Sequence, residues 1–141
     1  MPTNCYMLTD ESTGATAVID PGFVNESLLK AVEGADVQAI LLTHGHWDHI
    51  AGVAEIQKQT GAKLYIDAED ELFLSDSALN LSVDLTGRPL PPLKADVTVS
   101  DGDVIPLGIC TSMCCIHRGI PLEVAAMWWK VLFSAGIPCL K

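Results

Sequence analysis

The sequence predicts an α/β fold, because strand-like and helix-like segments alternate along most of the chain. Apolar runs typical of buried strands, at 37–42 and 63–66, are separated by a segment of helical periodicity. That segment ends at Gly61, a residue suited to the C-terminus of a helix. A dense group of histidines lies between the first strand and the helix. In an α/β sandwich these histidines would lie at the carboxyl end of a strand.

The other elements follow from local signals. The predicted elements are a hairpin of strands 4–9 and 15–20, a helix capped by Asn25 and closed by Gly34, the strand 37–42, a helix from about Asp48 to Thr60, the strand 63–66, a helix from Asp67 through Leu74, a loop over 81–95, and a second hairpin of strands 97–99 and 104–105. We interpret the carboxylates of Asp67, Glu69 and Asp70 as charges at the end of a helix rather than as metal ligands. Glycine and three prolines predict the loop, and Asp-Gly at 101–102 predicts the second hairpin.

Residues 44–49 contain three of the four histidines of the chain and a carboxylate, in the order His-Gly-His-Trp-Asp-His. Neutral imidazole and ionised carboxylate are the usual non-thiolate ligands of zinc. His44 and His46 alternate with a glycine and can point the same way. Asp48 and His49, on the first turn of the following helix, can face a second position beside them. The alternative is an exposed loop in which Asp48 only caps the helix, but the density of ligand-type residues favours a metal site.

This run resembles the HxHxDH signature of the metallo-β-lactamase superfamily. Asn4-Cys5-Tyr6 before a strand, the Asp20-Pro21-Gly22 turn, Thr43 and Gly52 extend the resemblance to small bacterial hydrolases called glyoxalase II-like. The similarity runs from Thr3 to Gly108. It implies a partial metallo-β-lactamase αββα sandwich, mainly its N-terminal half.

The resemblance also implies a centre of two metal ions, usually zinc. It assigns His44 and His46 to the first metal. It assigns Asp48 and His49 to the second, and it gives Asp48 the catalytic role of orienting the attacking water and accepting its proton. Asp20 is either a hydrogen-bond partner that orients a ligand or only a turn residue before a proline.

Composition limits the partners and the location. Eighteen acidic residues against eight basic ones give a net charge of −10, which disfavours nucleic acids and anionic membranes as partners. Neither a membrane-spanning apolar run nor a signal peptide is evident. We therefore expect a cytoplasmic protein with a small-molecule substrate. The nuclease branch of the superfamily and the periplasmic β-lactamases are disfavoured.

The chain changes character near Gly108. Only one of the 18 acidic residues lies beyond residue 109, whereas four of the five cysteines do. The family pattern continues with an aspartate, then HTPGHTPG with a third histidine, then SGDT with a bridging aspartate, and none of these motifs is present. The sequence therefore predicts two parts: 1–108, the N-terminal part of a metallo-β-lactamase domain, and 109–141, an aberrant tail.

A shift of the reading frame by one base accounts for the tail. If each true codon joins the third base of one written codon to the first two bases of the next, Met113 and Cys114 give valine. The next overlapping codons can encode Leu, then HTPGHTPG, then Ser. The overlapping codons between residues 131 and 139 can encode VLFSGDTL. A zinc site of the tail cysteines is the disfavoured alternative, because Cys114 and Cys115 are adjacent and the paired C-x-x-C spacing is absent.

These observations favour a zinc-dependent hydrolase of acyl thioesters such as S-lactoylglutathione. Catalytic zinc normally has three protein ligands, and the written chain supplies two to each metal, so we expect weak metal binding and poor turnover. The alternative is a catalytically inactive truncated fragment that retains a partial metal site. A diiron relative that reduces oxygen or nitric oxide is a weaker hypothesis, because that branch usually carries glutamate where His46 stands.

Overall fold

A five-stranded sheet forms the centre of the protein. The computed structural model describes residues 3–100, 103–108 and 110–113. The strands are β1 (Tyr6–Thr9), β2 (Ala15–Ile19), β3 (Asp36–Leu41), β4 (Lys63–Asp67), β5 (Val97–Val99), β6 (Val104–Leu107) and β7 (Cys110–Met113). The helices are α1 (Glu26–Glu33), α2 (Trp47–Ile50), α3 (Val53–Thr60) and α4 (Ser82–Thr86), and a 3-10 turn covers Glu71–Leu74. The features predicted for 114–141 lie outside the described residues.

The strand order of the main sheet is β1-β2-β3-β4-β5. β1 runs antiparallel to β2, and the other neighbouring strands are parallel. β6 and β7 form a separate antiparallel pair, and β6 contacts β2. This arrangement confirms the predicted α/β class. None of the helices in the described part of the chain has the length and apolar composition that a membrane crossing requires.

The central strand β3 is buried on both faces, as its nearly continuous apolar run predicts. Ile40 packs in a cluster that includes residues of α1 and α3. Leu41 points to the opposite face and packs in a second cluster, which includes Ile105 and Leu107 of β6. Helices therefore cover one face of the sheet, and the β6–β7 pair lies against the other. The carboxyl end of β3 is therefore packed between these two layers.

Helix α1 has the cap that the sequence predicts. The Leu28 backbone N–H donates to Asn25 Oδ1 over 2.8 Å, and the helix ends at Gly34. We expect Asn25→Ala to lower the free energy of unfolding by about 1 kcal/mol, because one amide of the first turn loses its acceptor. Urea denaturation measures this change. Asn25→Ser should remain close to the wild type, and an equal loss in both variants would contradict the capping role.

The helix predicted from about Asp48 to Thr60 is in fact two helices, α2 and α3. The helix is interrupted at Gly52. Its backbone N–H donates over 2.7 Å to the carbonyl oxygen of Pro21 instead of to a carbonyl of the preceding helical turn. A Cβ at Gly52 would lie 2.4 Å from that same oxygen. The break therefore ties the start of α3 to the Asp20-Pro21-Gly22 turn.

Three further expectations were wrong. The helix predicted from Asp67 through Leu74 is one 3-10 turn, because Asp67 Oδ1 accepts from the Glu69 N–H in a local turn and does not cap a helix. The predicted loop over 81–95 contains α4, which is only five residues long and ends at Gly87 with φ +73°. The second hairpin does not form: β5 pairs in parallel with β4, and β6 pairs with β7.

Candidate metal centre

The predicted ligands lie where β3 ends and α2 begins. One ligand atom from each of His44, Asp48 and His49 falls within 4.8 Å of the others. His46 lies beside this group: its ring meets the His44 ring edge-on at a centroid distance of 4.8 Å and lies 5.7 Å from the Phe73 ring. The structure thus brings three of the four predicted ligands together and places the fourth next to His44.

Asp20 contacts Thr43 and His49 and so holds the segment that carries these ligands. The parallel pairing of Ile19 with Leu41 brings the end of β2 beside the end of β3. Asp20 is 2% exposed, and its two carboxylate oxygens accept hydrogen bonds from the backbone N–H and the hydroxyl of Thr43, over 2.8 and 2.5 Å. Its Oδ2 also lies 2.9 Å from His49 Nδ1. Asp20 therefore both ends a strand and contacts the candidate site.

The backbone of Asp20 is strained, because its φ is +51°, in the left-handed region that residues with a Cβ seldom adopt. Strain of this kind persists only where the surroundings fix it, and it is concentrated at functional sites. Here the carboxylate is fixed by Thr43, and the following Gly22 N–H donates to the Asp20 carbonyl oxygen over 2.8 Å.

His49 is the most deeply buried of the four predicted ligands, with 1% of its surface exposed. Neither ring nitrogen has a partner in hydrogen-bond geometry. Nδ1 is close to Asp20 Oδ2, and Nε2 is 3.6 Å from Asp48 Oδ2, too far for a hydrogen bond. A buried imidazole nitrogen without a partner is costly. Beside a carboxylate and a second imidazole, the donor set fits a divalent cation.

His44 is held in the form that binds metal. Burial, followed by the neighbouring His49, lowers its pKa from 6.5 to about 4, although Asp20 acts in the opposite direction. The imidazole is therefore neutral at pH 7, as coordination requires. The Thr43 hydroxyl lies 3.2 Å from Nδ1. Since that hydroxyl donates to Asp20, it can accept from Nδ1–H, which leaves Nε2 without its proton.

Glycines allow the surrounding segments to approach the ligands closely. A Cβ on Gly22 would lie 1.5 Å from the carbonyl oxygen of Asp48, and one on Gly45 would lie 2.3 Å from Phe73 Cβ. The Asp20-Pro21-Gly22 turn thus packs directly on the backbone of α2. The segment around Phe73 packs on the histidine loop from the other direction.

Asn80 was not identified from the sequence as a functional residue. It joins the segment around Phe73 to the segment that carries the histidines, residues 44–49. It is 1% exposed. Its side-chain amide donates to Phe73 O over 2.9 Å and its Oδ1 accepts from Ser82 N–H over 3.0 Å. Its backbone carbonyl accepts from Trp47 N–H over 2.8 Å. An isolated asparagine between two predicted elements carries no sequence signal for such a role.

Comparison with known families gives a match to the model described as "Metallo-beta-lactamase superfamily" over residues 1–110. A hydroxyacylglutathione hydrolase of Jannaschia sp. (strain CCS1) is 38% identical over 104 residues, which cover 73% of this chain and 34% of that protein. An uncharacterised protein of Aquifex aeolicus is 33% identical over 105 residues, covering 74% of this chain and 49% of that protein. The chain therefore spans about a third to a half of the length of these relatives.

Solved structures confirm the predicted fold class. The structure of BLEG-1, a B3 metallo-β-lactamase, matches with a TM-score of 0.69 and 30% identity, over 80% of this chain and 57% of that one. TTHA1623, solved in a di-iron-bound form, matches with a TM-score of 0.59 and 25% identity, over 79% of this chain and 55% of that one. The family model matches well over half of the residues of the present chain. The chain therefore belongs to the metallo-β-lactamase superfamily.

Proposed function

We propose that this chain carries the metal-binding half of a zinc-dependent hydrolase. His44 and His46 would hold one zinc, and Asp48 and His49 a second. The observation that carries the proposal is the buried Nε2 of His49, which has no hydrogen-bond partner and lies beside the Asp48 carboxylate and the neutral His44. Zinc is the metal we propose, and the di-iron form of TTHA1623 makes iron the alternative to test.

A bound divalent cation supplies Lewis acidity toward a carbonyl oxygen and lowers the pKa of water toward about 7. The chain supplies orientation and a proton acceptor. Asp48 has 21% of its side chain exposed, so its carboxylate is open to a water molecule at the edge of the site. We assign Asp48 the role of orienting that water and accepting its proton. Asp20 and Thr43 hold the neighbouring imidazoles in place.

The proposed substrate is a small acyl thioester of the S-lactoylglutathione type. Relatives named hydroxyacylglutathione hydrolase support this choice, among them the Jannaschia protein and one from Haemophilus influenzae that is 34% identical over 76 residues. β-Lactams are the second candidate substrates, because the structurally similar BLEG-1 is a B3 metallo-β-lactamase. A cytoplasmic location and the absence of nucleic-acid and membrane partners remain predictions.

We also propose that residues 109–141 are read out of frame. The family match ends at residue 110, close to the change in composition near Gly108. The alternative function, an inactive truncated fragment with a partial site, applies to the chain as written. Reading the nucleotide sequence from about codon 100 past the stop separates a one-base shift from a true tail.

The activity test compares the written chain with the chain read in the restored frame. We expect the restored, zinc-loaded protein to hydrolyse S-lactoylglutathione, with release of the free thiol followed in a colorimetric assay. We expect the written chain to hydrolyse it far more slowly, because ligands that catalytic zinc requires are missing. A chelator should abolish the activity. Hydrolysis of β-lactams alone, or no hydrolysis by the restored and loaded chain, would contradict the thioester assignment.

A further inference from the structure

The side chain of Thr3 contacts the proposed catalytic residue. Its hydroxyl donates to Asp48 Oδ2 over 2.7 Å, across 45 residues of sequence. Among the described residues, Thr3 donates the hydrogen bond that this carboxylate accepts. Oδ2 is also the oxygen that lies 3.6 Å from His49 Nε2. Thr3 thus reaches the atom that faces the second proposed metal position.

The topology explains why a residue so early in the chain reaches the site. β1 is antiparallel to β2 and its first residue, Tyr6, pairs with Ile19 at the end of β2. The residues before Tyr6 therefore run past the end of β2 toward the Asp20-Pro21-Gly22 turn. That turn packs on the Asp48 backbone at Gly22. The N-terminal segment and the start of α2 consequently meet at one edge of the sheet.

We propose that Thr3 is a positioning residue for Asp48, an inference that rests on the metal-binding function proposed above. By holding Oδ2, the hydroxyl fixes the rotation of the carboxylate and keeps this oxygen toward His49 Nε2, while its second lone pair stays available to the metal that Asp48 would share with His49. Hydrogen-bond partners that orient a ligand typically contribute 10- to 100-fold in metal affinity.

The test is a Co²⁺ titration of the full chain followed by visible absorption, together with Zn²⁺ affinity from chelator competition. Thr3→Val keeps the shape and removes the hydroxyl, and Thr3→Ser keeps the hydroxyl. Thr9→Val is the matched control, because Thr9 shares a hydrogen bond of 2.9 Å with Thr16 in the hairpin and does not contact the proposed ligands.

We expect Thr3→Val to weaken the binding of Zn²⁺ about 10-fold and to alter the Co²⁺ spectrum. Thr3→Ser should restore both, and Thr9→Val should match the wild type. If Thr3→Val and the wild type have equal zinc affinity and equal Co²⁺ spectra, the positioning role of Thr3 is overturned, while the proposed function stands. Equal losses in Thr3→Val and Thr9→Val, or a Thr3→Ser variant that fails to recover, would overturn that role as well. A wild-type chain that binds neither ion would overturn the proposed function, and this inference with it.

Discussion

Replacing Asp20 with asparagine is expected to weaken zinc binding by 10- to 100-fold. Asparagine keeps the size of the side chain and tolerates the left-handed backbone conformation with φ +51°. It turns one carboxylate oxygen into an N–H donor, so the hydrogen bonds from Thr43 and the approach to His49 Nδ1 can no longer all be kept. Chelator competition measures the loss in affinity.

Asp96→Asn is the matched control for this substitution. Asp96 also accepts from a backbone amide, Leu64 N–H, over 2.8 Å, and it lies on the segment between α4 and β5. We expect its variant to bind zinc as the wild type does. If Asp20→Asn binds zinc as tightly as Asp96→Asn, then Asp20 is only a turn residue and does not orient the ligands.

Replacing Gly22 with alanine is expected to disrupt both the site and the fold. The added Cβ would lie 1.5 Å from the Asp48 carbonyl oxygen and 2.4 Å from its carbonyl carbon. Both are backbone atoms, so the turn and α2 must move apart. Overpacking of this kind costs about 3 kcal/mol at the upper end of its usual range. We expect a lower free energy of unfolding and the loss of measurable zinc affinity, because Asp48 and His49 move with α2.

Gly34→Ala serves as the control, since a Cβ there would lie 3.6 Å from the Lys30 carbonyl oxygen, an ordinary contact. Urea denaturation and a zinc titration of both variants provide the comparison. We expect Gly34→Ala to keep zinc affinity. Normal stability and zinc affinity in Gly22→Ala would mean that the turn does not pack on α2 as described.

Local signals in the sequence were sufficient for much of the fold. The apolar run of β3, the Asn25 cap of α1 and the glycine that ends α3 each depend on residues close in sequence, and each was predicted. The pairing of β5 was not, because Asp-Gly at 101–102 signals a turn but does not specify which strand comes next to β5. The break at Gly52 depends on Pro21, 31 residues earlier, and helical periodicity continues through it.

The candidate site, like the fold, could be predicted only where the signal lies in residues close together in the sequence. Motif residues could be identified because histidines and a carboxylate at this density are rare, and the structure brings His44, Asp48 and His49 together. Their supports could be found only in part. Asp20 was a candidate, whereas Thr3 and Asn80 act through contacts across 45 and 33 residues, to Asp48 and to Trp47. Neither lies in a pattern that distinguishes it from an ordinary polar residue.

Calorimetric titration of the full chain with zinc tests the central claim, metal binding by the HxHxDH residues, most directly. Two variants complete the test: His44→Gln combined with His49→Gln, and a chain in which Cys110, Cys114, Cys115 and Cys139 are all serine. We predict saturable zinc binding by the wild type and the serine chain, and none by the double histidine variant. Binding that survives in the histidine variant but not in the serine chain would assign the metal to the tail cysteines and contradict the account, as would a wild-type chain that binds no zinc.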